Sequence, residues 1–145
     1  MRVVPFLLAV TAVAACTRAA GPDLGPREYS LAEARDSIPL AYQQPVRVEG
    51  VQLTLSRVEG DSRCPGGEIV CVWQGEAILH VEADPACLPT CARASSHLLL
   101  HTVTDPRWVD YDGLRIEAVG LLPAPRAAPI PEEEYVAWVR VTRVE

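Results

Sequence analysis

Between residues 80 and 101 five side chains of metal-ligand type fall close together: His80, Cys87, Cys91, His97 and His101. Thiolate and imidazole are the donors that zinc and copper take, so this cluster defines the sharpest chemistry the chain could carry. Its spacing argues against a shared ion. The run "HLLLHTV" alternates like a strand, and on a strand His97 and His101 are about 13 Å apart. Only His80, set opposite one of them on a neighbouring strand, could form a pair, whereas zinc wants about four ligands. Ordinary polar-face histidines are the simpler reading, with a zinc or copper site, or a weakly catalytic one, in this hairpin as the alternative. Asp105, Asp110, Asp112 and Gly113 hint at a calcium loop, but the EF-hand pattern is not met and a turn between strands explains them. Glu132, Glu133 and Glu134 read as a solvated loop end. The chain has no Gly-x-Ser-x-Gly elbow, no P-loop and no His-Glu-x-x-His helix. Acid pairs such as Glu76 and Glu82 are equally explained by a solvated strand face. Neither catalysis nor a cofactor is expected.

Whether the cysteines are thiols or disulfides depends on the compartment. Residues 1–15 have the layout of a signal peptide: Arg2, an apolar run from Val3 to Val13, then Ala14-Ala15. The apolar run falls short of the about 20 residues that span a bilayer. Val13-Ala14-Ala15-Cys16 resembles the bacterial lipobox, an aliphatic residue and two small ones before a cysteine. That resemblance implies acylation of the Cys16 sulfur, cleavage before it, and a lipid anchor in the cell envelope; Thr17 would permit sorting to an outer membrane where one exists. A plain secretory signal, cut after Ala15 or Ala20, is the alternative. Five cysteines in an exported chain leave one over, and assigning Cys16 to the anchor leaves an even set, Cys64, Cys71, Cys87 and Cys91. Of three possible pairings the local one is expected, 64–71 and 87–91.

The elements that would position these groups are strands. A chain of 145 residues with thirteen Pro and nine Gly favours one turn-rich domain. Net charge is −6 and all cations are Arg, with no basic block, which excludes nucleic acid as a partner. Residues 16–27, with two Gly-Pro pairs, read as a tether, and residues 28–145 as the domain. Ser30 and Glu33 match a capping box, although an extended segment leading into "IPLAY" fits equally. Beyond it the pattern has period two. Val46 and Val48, then Val51, Leu53 and Leu55, share a face across a phase slip at Glu49-Gly50. Ala77, Leu79 and Val81 do likewise, as do Leu98 and Leu100. "LRIEAVGLL" and "YVAWVRVTRVE" complete about six strands. The last two are joined by a crossover with four Pro in nine residues. The expected fold is all-β, a small antiparallel sandwich or barrel-like domain of six to eight strands.

The most specific stretch is "DSRCPGGEIVCVWQGEA", residues 61–77. A Cys64–Cys71 bridge would close a short loop between turn residues, and Gly75 would permit a close backbone approach or bulge. Trp73 has the parity of Ala77, Leu79 and Val81, so an unbroken strand would send it inward as a structural residue, although a bulge at Gly75 could flip it. Arg63, flanked by turn residues, is then the group free for contact, unless it pairs with a buried carboxylate such as Asp61. The stretch resembles a group of small exported bacterial proteins, many of them lipoproteins, with Asp-Ser-Arg-Cys-Pro, a short gap, then Cys-x-Trp-x-Gly-x-Ala. The matching residues are Asp61, Ser62, Arg63, Cys64, Pro65, Cys71, Trp73, Gly75 and Ala77. The likeness implies a small β-rich fold and an envelope address, and no reaction. The expected function is therefore non-catalytic: a lipid-anchored envelope domain that binds another envelope protein or a peptide. Its contact surface would be the Asp61–Arg63 loop or the Pro-rich crossover.

Overall fold

A computed structural model describes residues 26–65, 70–85 and 94–145. The leader, Cys16, most of the tether and the Cys87–Cys91 pair lie outside the described residues. Among the described residues nine strands form two sheets packed face to face. The first sheet contains β1 (Arg27–Tyr29), β3 (Val46–Val48), β4 (Val51–Glu59), β5 (Ile78–Pro85) and β6 (Ser96–His101), in that order. The second orders β2 (Ile38–Ala41), β9 (Val136–Arg143), β8 (Leu114–Leu122) and β7 (Trp108–Tyr111). These are two separate sheets and not a closed barrel. Among the named strands all pairings are antiparallel except β1 with β3, where Arg27 lies beside Val46.

The alternation read from the sequence holds strand by strand. Leu53, Leu55, Leu79, Val81 and Leu100 of one sheet are fully buried against Leu40, Ile116, Val139 and Val141 of the other. Burying a side chain of this size is worth about 1.5–3 kcal/mol, and that drive closes the two sheets on each other. Turns set the register. Glu49-Gly50 has φ of 48° and 81° and Asp112-Gly113 has φ of 52° and 77°, the paired positive values of a type I′ hairpin. The acidic stretch around Asp110 and Asp112 is thus a hairpin turn joining β7 to β8.

Three strands escaped the sequence pattern. β1, β2 and β7 are three or four residues long, too short to display a period. Of the two readings of the stretch before "IPLAY", the helix is realised and the extended segment is not. A helix α1 (Leu31–Asp36) carries the reciprocal Ser30–Glu33 capping box and buries only Ala34. It stops before Ile38-Pro39, because a residue ahead of proline is pushed to extended backbone, and β2 begins there.

Candidate functional site

Past β4 the hairpin with β5 continues as a narrow arm. Ser62 N–H donates to the Glu76 carbonyl (2.8 Å), Glu76 N–H donates to Ser62 Oγ (3.1 Å), and Cys64 N–H donates to the Gln74 carbonyl (3.2 Å). The Cys64–Cys71 disulfide then closes the arm, with the Cα atoms 6.0 Å apart. The bridge expected from the local spacing is present. Gly75 makes the arm possible. Its φ is +64°, and a Cβ there would lie 1.8 Å from the Ser62 carbonyl oxygen, so the two backbones touch where any side chain would stand.

The arm is fixed to the sandwich by one polar node. Arg63 Nε donates to Asp61 Oδ1 and Arg63 Nη2 to Asp61 Oδ2, both at 2.8 Å. The same guanidinium reaches the second sheet, donating to the carbonyls of Leu121 (2.6 Å) and Pro123 (3.1 Å). Tyr135 Oη donates to Asp61 Oδ2 at 2.8 Å. Burial pushes the Asp61 carboxyl up, but hydrogen bonds from Arg63 and Tyr135, with the Arg63 charge, outweigh it and hold the group below its ordinary value. Burial first, and then the hydrogen bond to the Asp61 charge, push the Tyr135 hydroxyl up to about 12. This is an ionised carboxylate locked between a cation and a neutral phenol. It holds no proton to give near neutral pH.

Two sequence expectations are reversed here. Arg63 is not free for contact: its side chain is 13% exposed and spends its donors on Asp61 and two backbone carbonyls. Trp73 is not inward: it is 81% exposed. Strand parity fails at Gly75, whose positive φ breaks the alternation, so β5 begins only at Ile78 and Ala77 is the first buried residue of the run. Val70 and Val72 stand out with Trp73, at 93% and 86% exposed. Beside them a groove of about 410 Å³ runs along Ser62, Trp73, Glu76, Val103 and Thr104. The cavity between the polar node and the Pro-rich crossover holds only about 200 Å³, below the roughly 300 Å³ at which small-molecule sites begin.

The histidines remain apart. Across β5 and β6, His80 faces Leu99, while His97 faces Glu82 and His101 faces Ile78. His80 instead pairs with Glu59 (Nε2 to Oε2, 2.8 Å) and His101 with Glu76 (Nδ1 to Oε2, 3.3 Å). Among the described residues no group of three His, Cys, Asp or Glu side chains is placed to hold a metal ion. One cluster has the composition of a catalytic relay: Thr104 Oγ1 lies 3.2 Å from His101 Nδ1 and 2.7 Å from Glu76 Oε2. The geometry is wrong for one. Hydroxyl and carboxylate converge on the same ring nitrogen, whereas a relay needs one on each. The Thr104 hydroxyl, foremost, holds the Glu76 carboxyl below its ordinary value, which suits a turn anchor and not a general acid.

Sequence reasoning missed Tyr135 and the Leu121 and Pro123 carbonyls, which lie 74, 58 and 60 residues from their partners. The one local signal was a tyrosine at the buried start of the last strand, since a buried hydroxyl needs an acceptor. With this geometry in view, the chain matches no model of a known protein family, no curated protein and no solved structure.

Proposed function

We propose that the chain is a lipid-anchored protein of the bacterial cell envelope whose β-sandwich works by contact and not by catalysis, through the disulfide-closed arm. The anchoring reading rests on the apolar leader and the lipobox-like Val13-Ala14-Ala15-Cys16. One observation carries the contact reading. Val70, Val72 and Trp73 are exposed together on an arm that is clamped by a disulfide, a backbone ladder and a partly buried ion pair. Apolar groups exposed on a floppy loop would be unremarkable, but a cluster held rigid in water has its ordering cost met before any encounter. The Pro-rich crossover is a weaker candidate, because its start is held by Arg63 and Ile130 packs on the core.

The reading is tested in cells with a photo-crosslinking residue at Val72 and, as control, at exposed Arg57 on β4. Crosslinks at 72 that exceed those at 57, together with an acylated Cys16 by mass spectrometry of the membrane fraction, are expected. Equal labelling at the two positions, or an unmodified Cys16 thiol on a chain outside the membrane fraction, overturns it.

A further inference from the structure

The exposed apolar residues are not scattered. Arg63 binds the carbonyls on either side of Leu122, so Leu122 (49% exposed) sits at the base of the arm, and Val103 (36%) lines the groove beside Trp73. Val70, Val72, Trp73, Val103 and Leu122 therefore gather at one end of the sandwich. Residues 70–75 of the arm carry no charged side chain. At the base, the Asp61 charge is matched by Arg63.

The N-terminal strand enters from that same end. β1 runs parallel to β3 and β3 antiparallel to β4, so the N-terminal end of β1 at Arg27 faces the end of β4 from which the arm projects. Arg27 is level with Val46, which faces Leu53 of β4. From Leu53 to Glu59 the strand covers about 20 Å, and the arm from Gly60 to Cys64 adds about 16 Å. The eleven steps from Cys16 to Arg27 span at most about 36–40 Å. An acyl group on Cys16 can thus lie in the plane of the arm's far end.

We infer that the arm docks on the lipid bilayer itself, seating Val70, Val72 and Trp73 in the headgroup region beside the anchored N-terminus. This rests on the anchoring reading above and names the partner of the same arm. Tryptophan favours the boundary between water and acyl chains, where its ring is buried and its N–H stays wet. A chain of net charge −6 gains nothing from an anionic surface, so the contact is apolar and is expected on zwitterionic lipid. Acyl anchor and arm together would hold the sandwich in one orientation on the membrane.

The test uses the full-length lipidated protein in phosphatidylcholine vesicles, with Trp108→Phe and Trp138→Phe leaving Trp73 as the only tryptophan. Should that variant fail to fold, the difference between the unaltered protein and Trp73→Phe gives the same readout. Trp73 emission is expected to shift to the blue and to be quenched when the acyl chains are brominated. Val72→Asp is expected to remove the shift and the quenching while the protein stays vesicle-bound through Cys16. Unquenched, red-shifted Trp73 on protein whose Cys16 is acylated overturns this inference alone. So does a blue shift that appears without vesicles and grows with protein concentration, which means a second copy covers the arm. A blue shift that needs added envelope proteins means a protein partner and overturns it as well. An unmodified Cys16 overturns the anchoring reading, and this inference with it.

Discussion

Replacing Arg63 with alanine removes four side-chain hydrogen bonds at once, two to Asp61 and two to carbonyls of the opposite sheet. Asp61 would keep only the Tyr135 hydroxyl as a side-chain partner. Stripping one partner from a buried ion pair costs about 3–5 kcal/mol, mostly from the charge left behind. Because Arg63 and Asp61 are 13% and 12% exposed, water relieves part of that penalty, so the low end, about 3 kcal/mol, is expected. Against a total stability of about 5–15 kcal/mol this is a large loss. In urea it lowers the unfolding midpoint by about 1.5–2 M at an unchanged slope. Trp73→Ala serves as the control: at 81% exposed it should change stability by about 0.5 kcal/mol or less. The double variant Asp61→Ala/Arg63→Ala should cost less than the sum of the singles, because it leaves no orphan charge. An Arg63→Ala loss below about 1 kcal/mol, or a Trp73→Ala loss exceeding it, would refute the assignment of Arg63 as the clamp and Trp73 as the exposed tip.

Gly75→Ala should cost at least about 2 kcal/mol, since its Cβ meets the Ser62 carbonyl at 1.8 Å and its φ is positive. Gly60→Ala, also at positive φ but with open space around it, should cost only about 1–2 kcal/mol, and the same urea titration separates the two. The Tyr135 hydroxyl has its folded pKa raised to about 12, so its contribution is fully present below about pH 10 and is lost as pH rises through 12. The stability advantage of the unaltered protein over Tyr135→Phe should therefore shrink between about pH 10 and 12; an advantage constant over that window would contradict the raised value. Reducing Cys64–Cys71 should cost about 2.5 kcal/mol by loop entropy while β5 amides stay protected from hydrogen exchange, because the arm lies outside the core.

What could be read directly from the sequence is what is local. Alternating side chains of one strand face opposite ways whatever the strand pairs with, so Val46 to Leu55, Ala77 to Val81 and Leu98 to Leu100 declared their buried face without any partner in view. Glu49-Gly50 and the Ser30–Glu33 cap are likewise fixed by backbone sterics and by groups three residues apart. The arm obeyed different causes. Whether Arg63 is free depends on carbonyls 58 and 60 residues away and on an Asp61 carboxylate that is shared with a tyrosine 74 residues on. Whether Trp73 follows the parity of Leu79 depends on the Ser62 backbone crossing over Gly75, a contact between two segments that no single-strand pattern contains. Burying a guanidinium is tolerable only once its carboxylate and carbonyl partners are assembled around it, and those arrive from both sheets. The sequence by itself determined the two hydrophobic faces and the turns that join them; which side of the arm meets solvent was decided only when the sheets had closed.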